Sequence, residues 1–247
     1  MTKHPKPPAS SGAGAPHVPA LPPAALELHA LEKTYGDAAA LEPLSLRIEE
    51  NQRVALLGHN GSGKTTMLRM ASGLLGPTSG DVSVFDHPAG SLAARSILSY
   101  IADNPTFYDD LSMWQHLEYV ARLHGVDNWE QYAADLLDHL GLYERADDLP
   151  NSFSRGLRQK AAIAIAFIRP FQLLLVDEPF VGLDAAGKEA LIELLDQAHK
   201  DGAALVVATH ELEFVHSVER IIALRDGALV YDGPPGGADV GELVRQG

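Results

Sequence analysis

The sequence predicts an α/β fold with a parallel central sheet, an N-terminal antiparallel β subdomain and an inserted helical subdomain. Three observations indicate this class. Strands and helices alternate between residues 155 and 209, as they do in parallel βαβ units. Apolar and polar residues alternate over 26–35 and 43–51, a pattern typical of half-buried antiparallel strands. Residues of about 104–168 carry apolar side chains at helical spacing.

Length and charge limit what the chain can do. Its 247 residues suffice for one large α/β domain or two small ones. The formal net charge of −14 argues against nonspecific binding to nucleic acid or anionic lipid, because both need an excess of Lys and Arg. The sequence has no cysteine, which excludes disulfides, cysteine catalysis and thiolate metal ligands and is compatible with a reducing cytoplasm.

The first 25 residues differ from the rest because they are rich in Pro and Ala. They hold too few large apolar side chains to offset the entropy of ordering. We therefore expect a disordered tail over 1–25, acting as a simple linker, and one domain over 26–247. The longest apolar run, Ala161–Ile168, stops at Arg169 and falls far short of the roughly 20 residues of a membrane span. A cytoplasmic location is expected.

Turn residues and apolar runs place the individual elements. Residues 53–58 form an almost wholly apolar run that ends in glycine, which indicates a buried strand. A helix is predicted from about Gly63 to Leu75, where apolar residues recur at helical spacing. The later predicted elements are a turn and strand over 76–86, a helix over 155–168, a strand over 173–177, a helix over 185–200, a strand over 204–209 and a hairpin at Asp226-Gly227.

The strongest motif runs from Gly58 to Thr65 and matches G-x-x-x-x-G-K-[ST] in full. Glycines let backbone N–H groups turn toward a polyphosphate, and the N-terminus of the following helix adds partial positive charge. Lys64 is predicted to reach the β- and γ-phosphates, and the Thr65 hydroxyl to hold Mg²⁺. A chance match is the alternative, but the strand before the motif and the helix after it disfavour it.

This motif predicts the core of a P-loop nucleoside triphosphatase. His59, inside the loop, is interpreted as a variable position rather than a catalyst, because such loops act through their backbone. The predicted phosphate-binding residues are Gly58, His59, Asn60, Gly61, Ser62, Gly63, Lys64, Thr65 and Thr66.

A second motif places two carboxylates at a strand end. Residues 173–176 are apolar and are followed by Asp177 and Glu178. Asp177 is predicted to ligate Mg²⁺, directly or through water, and Glu178 to orient or deprotonate an attacking water. A solvated strand edge is the alternative, which the apolar residues and the following Pro179 disfavour.

The two motifs are joined by a later Thr209-His210 pair and by the stretch Phe153-Ser154-Arg155-Gly156-Leu157-Arg158-Gln159. In this order they resemble the ATP-binding subunit of an ATP-binding cassette (ABC) transporter of the exporter-like type. The family signature, L-S-G-G-Q, has the variant S-x-G-[ML]-x-Q, which the stretch resembles. The resemblance covers about residues 26–233, nearly the whole chain apart from the tail.

The resemblance implies roles for single residues. Ser154 and Gly156 match signature positions that contact the γ-phosphate of ATP held by the opposite subunit of a head-to-tail dimer. Asp184 matches the D-loop residue at that interface. His210 matches the switch histidine that reads the γ-phosphate, and Glu178 matches the catalytic base.

At three further positions the match to the family pattern is less direct. Tyr35 matches the aromatic residue that stacks on adenine, although a half-buried tyrosine at a strand end is the alternative. Asp103, followed by Asn104, stands where the family has its Q-loop glutamine. A carboxylate can ligate Mg²⁺ but cannot donate a hydrogen bond, so either residue is a candidate for contact with nucleotide and metal. Arg155 replaces the second signature glycine, which either weakens the backbone cradle or adds positive charge near phosphate.

The resemblance implies that the chain binds ATP and Mg²⁺ and dimerises with a copy of itself or a paralogous cassette. It would power transport, with export favoured, through a separate transmembrane permease, which would hold the cassette at the cytoplasmic face of the membrane. Residues of about 101–148 would couple closure of the dimer to the permease. A soluble cassette acting on a ribosome or DNA is the alternative, which the single cassette and the acidic charge disfavour. A P-loop GTPase would need an N-K-x-D motif that is absent, and a small-molecule kinase would need neither Glu178 nor the signature.

Overall fold

The computed structural model describes residues 24–237 and 239–243. Most of the predicted tail, residues 1–23, lies outside the described residues. Ala24 and Ala25 are buried, so packing begins just before the predicted domain boundary.

Strands and helices are numbered in chain order. The strands are β1 (Leu26–Tyr35), β2 (Ala38–Ile48), β3 (Arg53–Leu57), β4 (Ser79–Val84), β5 (His87–Pro88), β6 (Leu98–Ile101), β7 (Leu173–Asp177), β8 (Ala204–Ala208), β9 (Arg220–Arg225) and β10 (Ala228–Gly233). The α-helices are α1 (Lys64–Ala71), α2 (Leu92–Ile97), α3 (Met113–Leu123), α4 (Trp129–His139), α5 (Arg155–Phe167), α6 (Ala185–Lys200), α7 (Leu212–His216) and α8 (Val240–Leu243).

Within the described part of the chain, the strands form two sheets. The larger has six strands in the order β10-β9-β3-β8-β7-β6. Strands β9, β3, β8, β7 and β6 are parallel to their neighbours, and β10 returns antiparallel to β9 through the predicted turn at Asp226-Gly227. The smaller sheet is antiparallel, with the order β2-β1-β4-β5. The order of the larger sheet therefore places strand ends from distant parts of the chain side by side.

The central strands β3, β7 and β8 of the larger sheet are buried on both faces. Along β3, Val54 and Leu56 belong to the hydrophobic cluster shared with α1 and the antiparallel sheet. Ala55 and Leu57 belong to the cluster shared with helices α3 to α6. Successive side chains of a strand point to opposite faces, and a sheet covered on both faces needs apolar residues at every position. This explains why β3, β7 and β8 appear in the sequence as unbroken apolar runs.

Two helices near the strand ends begin at side chains that cap them. At the start of α5, Ser154 Oγ accepts a hydrogen bond from the Leu157 amide at 3.4 Å. At the start of α6, Asp184 Oδ1 accepts a hydrogen bond from the Gly187 amide at 3.0 Å. Such caps satisfy amides that have no partner inside the helix. Both residues therefore have a structural task in the single chain.

Most predicted elements are confirmed, and the differences that bear on the site concern α1, α2 and β6. Helix α1 was predicted to reach Leu75 but ends at Ala71, because the chain turns at Gly73, whose φ of 73° is not helical. Helix α2 and strand β6 were not predicted, since they have only six and four residues and show no resolvable period. The loop after β6 carries Asp103, so this short strand matters for the site.

Candidate active site

Four neighbouring strands of the larger sheet lead into predicted site residues. Because β3, β8, β7 and β6 are parallel, their carboxyl ends meet at one edge of the sheet. The glycine loop follows β3, His210 follows β8, Glu178 follows β7 and Asp103 follows β6. The sheet thus assembles one site from four separate segments.

The glycine loop folds tightly between β3 and α1. Gly58, Gly61 and Gly63 have φ values of 145°, 85° and 105°, which L side chains rarely adopt. At Gly58 a side chain also has no room, because a Cβ would lie 2.2 Å from the Leu224 carbonyl oxygen. Helix α1 begins directly after the loop, and its first amides have no partner inside the helix. Together these features make a favourable place for an anion.

Lys64 is a buried cation held over its own loop. Its Nζ donates hydrogen bonds to the carbonyl oxygens of Gly58 at 2.6 Å and His59 at 3.2 Å. The same atom lies 3.6 Å from Oε1 of Glu178. A buried ammonium group needs such partners to offset its lost hydration. The Lys64 ammonium group is therefore held between the glycine loop and the Glu178 carboxylate.

Asp177 is a buried carboxylate without ordinary partners. It is 1% exposed, and neither carboxylate oxygen makes a hydrogen bond of normal geometry within the described residues. The pKa of Asp177 is raised, mainly because of burial. The nearby Thr65 hydroxyl lowers this pKa, the charges of Asp103 and Glu178 raise it, and Lys64 has a smaller lowering effect. Two desolvated carboxylate oxygens beside a hydroxyl are oxygen donors of the kind that Mg²⁺ takes, so these residues fit a divalent cation.

Glu178 sits in a strained backbone conformation next to a histidine. Its φ is 46°, which is uncommon for a residue other than glycine, and its amide is held by a hydrogen bond to the Ala208 carbonyl at 2.8 Å. Its Oε1 lies 3.1 Å from Nε2 of His210. Burial alone would raise the pKa of Glu178, but His210 and then Lys64 outweigh that effect and lower the pKa. The carboxylate is therefore ionised at neutral pH.

Lys64, Asp177 and Glu178 border a cavity of about 420 Å³, whereas His210 lies outside its lining. Its volume falls within the range of small-molecule sites. It joins the glycine loop, both strand-end acids and Asp103. One lining residue, on β2, was not predicted, because nothing in an alternating strand pattern marks it. The lining residues are Ala40, Asn60, Gly61, Ser62, Gly63, Lys64, Thr65, Thr66, Asp103, Asp177 and Glu178.

Tyr35 and His59 lie outside the lining of this cavity. Tyr35 ends β1 and is 55% exposed as a residue, and Lys33 Nζ lies 5.2 Å from the centroid of its ring. An exposed ring of this kind can accept a nucleobase on its face. His59 has Nδ1 2.8 Å from the Asn60 carbonyl oxygen and Nε2 3.2 Å from the Asp226 carboxylate. These contacts tie the glycine loop to the β9–β10 turn.

Ser154, Gly156 and Asp184 also lie outside the lining of the chain's own cavity. Gly156 packs against the loop before α6 so closely that a Cβ there would lie 2.4 Å from the Gly182 carbonyl oxygen. Lys160, which the sequence did not single out, forms an ion pair with Asp184 at 3.0 Å. Lys160 lowers the pKa of Asp184 through this contact. The signature sequence and this loop therefore form one packed unit.

Both carboxylate oxygens of Asp103 accept hydrogen bonds. Its Oδ2 accepts a hydrogen bond from Asn104 Nδ2 at 2.7 Å. Its Oδ1 accepts one from Arg155 Nη2 at 3.4 Å. The two departures from the family pattern are thus in contact with each other, which their separation in the sequence gives no sign of.

The fold and the site define a P-loop nucleoside triphosphatase. The sequence profile of the ABC transporter family matches residues 41–181. The SkfA peptide export ATP-binding protein SkfE of Bacillus subtilis (strain 168) is 34% identical over 210 residues, which cover 84% of this chain and 88% of that protein. The chain therefore belongs to the ABC transporter family, as an ATP-binding cassette.

Solved structures agree with this assignment. The structure of an ATP binding subunit of an ABC transporter has a TM-score of 0.81 and 28% identity, covering 88% of this chain and 97% of that one. The dimeric post-hydrolysis structure of the ATP-binding cassette MJ0796, bound to ADP and Pi, has a TM-score of 0.78 and 28% identity, covering 86% and 100%. No helix in the described residues has the length and apolar character needed to cross a bilayer.

Proposed function

We propose that this cassette hydrolyses ATP as one half of a head-to-tail dimer and powers export through a separate membrane permease. The observation that carries the proposal is that Lys64 Nζ and His210 Nε2 both contact Oε1 of Glu178 beside the glycine loop, at 3.6 and 3.1 Å. A cation for phosphate and an ionised base are groups that phosphoryl transfer to water uses, and the histidine beside the base can hold it in place.

In the proposed reaction, the glycine-loop amides and Lys64 hold the β- and γ-phosphates of ATP. Glu178 takes a proton from a water as that water attacks the γ-phosphorus. The bond to the bridging oxygen breaks, and ADP and phosphate leave. His210 holds the Glu178 carboxylate in place through its Nε2 contact. Asp177 and Thr65 would hold Mg²⁺, which supplies neutralisation of phosphate charge when bound.

The proposal includes a second cassette because the signature residues lie outside their own cavity. Ser154 and Gly156 are fixed at the start of α5, away from the lining, so they are available to a nucleotide on another subunit. The related MJ0796 cassette forms a dimer in a state with ADP and Pi. Both facts support an interface in which each subunit completes the site of the other.

A permease surface is the last part of the proposal. A groove of about 690 Å³ lies between the turn after α1, helix α2 and the end of α3. Leu74, Leu92 and Leu123 line it and are strongly exposed, Leu92 to 86%. Exposed leucines around one groove favour a protein partner. Tyr100 of β6 borders the same groove and the loop that carries Asp103, so an apolar permease segment bound here would sit next to the ATP site. The SkfE relative is named for peptide export, which favours export.

The ATPase part is tested with Glu178→Gln and, as a matched control, Glu193→Gln on the exposed face of α6. We expect Glu178→Gln to abolish phosphate release and to form a stable dimer in MgATP by light scattering, while the control behaves like the wild type. Normal hydrolysis by Glu178→Gln would contradict the proposal. The permease part is tested by reconstitution of this cassette with a candidate membrane permease. Leu92→Glu should then lose permease-stimulated hydrolysis and keep basal hydrolysis.

A further inference from the structure

One ion pair joins the cavity of this subunit to its own signature sequence. Asp103 lines the cavity, and Arg155 is the first residue of α5, between Ser154 and Gly156. Their contact, 3.4 Å between Oδ1 and Nη2, is partly exposed, with 34% of the Asp103 side chain and 64% of the Arg155 side chain accessible.

Contacts of the Arg155 side chain with its neighbours position its guanidinium group beside Asp103. Its Cγ and Cδ lie along Gly182, 3.5 and 3.6 Å from where a Cβ on that glycine would be. One turn further along α5, Arg158 Nη2 donates a hydrogen bond to the Pro105 carbonyl at 2.8 Å. The start of α5 is therefore joined to the segment after β6 at two points. Removing the first contact leaves the second to hold the helix.

Asp103 also belongs to the electrostatics of the cavity. Its charge is close enough to Asp177 to contribute to that residue's raised pKa. A triphosphate bound in the cavity would add negative charge near Asp103. A triphosphate held by a second subunit would offer Arg155 a stronger acceptor than one exposed carboxylate, because guanidinium groups bind phosphate in a bidentate manner.

Building on the proposed function, we propose that Asp103 and Arg155 form a latch. In the free subunit, Asp103 holds Arg155 at its own cavity. In the closed dimer, Arg155 leaves Asp103 and binds the triphosphate carried by the second subunit. The ion pair therefore opposes association of free subunits into the closed dimer. Once the dimer has formed, the contact of Arg155 with the triphosphate stabilises it.

The test is a double-mutant cycle in the Glu178→Gln background, measuring by light scattering the ATP concentration at half-maximal dimer in saturating Mg²⁺. Asp103→Asn should lower that concentration by up to about fivefold, the range for an exposed ion pair. Arg155→Gln should raise it. In the presence of Arg155→Gln, Asp103→Asn should give no further decrease, because the pair is already broken.

Two measurements separate this effect from other causes. Binding of a fluorescent ATP analogue, at protein concentrations too low for dimer, corrects for any change in the subunit's own cavity. Melting without nucleotide should change little for either variant, since the pair is exposed. The matched control is the Glu118–Arg122 pair on α3, with 36% and 69% exposure, whose Gln variants should not alter dimerisation.

The outcomes distinguish the latch from the proposed function. If Glu178→Gln alone forms no dimer in MgATP, the dimer mechanism is wrong. If it forms a dimer but the effects of Asp103→Asn and Arg155→Gln are additive, or Arg155→Gln favours the dimer, only the latch is wrong.

Discussion

The Glu178 carboxylate lies 3.1 Å from the His210 imidazole, across the ends of the adjacent strands β7 and β8. The histidine is the largest of the influences that lower the pKa of this acid against the effect of burial. A carboxylate that stays ionised in a partly buried place can accept a proton from water, which is what the proposed hydrolysis asks of it.

Replacing Glu178 by Gln should reduce ATP turnover by at least about a hundredfold, because general bases contribute factors of about 10²–10⁴. The amide keeps the shape of the side chain but has no basic oxygen for the proton. Phosphate release measures turnover, and equilibrium binding of a fluorescent ATP analogue should stay near wild type. A large loss of binding would show instead that Glu178 mainly shapes the cavity.

Lys64→Ala should abolish nucleotide binding as well as hydrolysis, because it removes the buried cation that sits among the loop carbonyls. Titration with the fluorescent analogue is the measurement. Lys200→Ala, at the exposed end of α6, is the control for a lost lysine charge and should bind normally. Equal effects at both positions would contradict a specific role for Lys64.

Asp177→Asn should stabilise the nucleotide-free protein. The folded-state pKa of Asp177 is raised, so its ionised form costs stability at pH values above that pKa. That cost disappears as the pH falls through the raised pKa. The melting temperature of the variant should exceed that of the wild type at pH 7, by about 2–4 °C for each kcal/mol relieved, and the difference should shrink toward acidic pH.

The same variant also tests the cation site. MgATP should raise the melting temperature of the wild type more than ATP in EDTA does, by mass action on the folded state. In Asp177→Asn the two nucleotide conditions should give similar shifts. A full Mg²⁺-dependent shift in the variant would place the cation elsewhere.

Gly156→Ala should destabilise the fold, although alanine is the better helix former. A Cβ there would lie 2.4 Å from the Gly182 carbonyl oxygen, so the start of α5 must move, at a cost of about 1–3 kcal/mol. Urea unfolding measures the change. Gly76→Ala, where no heavy atom lies within 4 Å of the added Cβ, should change stability by no more than about 0.5 kcal/mol.

Tyr35→Ala should weaken ATP binding by about fivefold or more, while Tyr35→Trp keeps it, if the exposed ring stacks on adenine. Inorganic triphosphate provides the discriminating ligand, because it has no base. Its affinity should be the same for wild type and Tyr35→Ala. A parallel loss with both ligands would indicate that Tyr35 only supports the end of β1.

The glycine loop and the strand-end acids could be predicted because their chemistry is local. Gly58 to Thr65 carries its own spacing, and Asp177 and Glu178 directly follow the apolar run that becomes β7. The pairing of Glu178 with His210 could not be derived from such patterns. It depends on β7 and β8 being neighbours, which the tertiary packing of the sheet determines.

The contacts of Asp103, Lys160 and Arg155 could not be predicted from the sequence, because they too depend on tertiary packing. Strand β6 is only four residues long, so the loop that carries Asp103 had no predicted place in the sheet. The Lys160–Asp184 ion pair joins a helix face to a loop that returns only after a complete strand. A single sequence contains no period or motif that marks such contacts.

The unbroken apolar strands have a consequence for how this protein can change over generations. Side chains alternate between two filled cores, so a shift of one strand by a single residue would exchange its two faces and misplace the acid or histidine that follows it. Insertions inside β7 or β8 are therefore excluded by packing. The loops beyond the strand ends and the outward surfaces of α2 and α3 can accept them, so new specificity can arise there while the reactive edge stays the same.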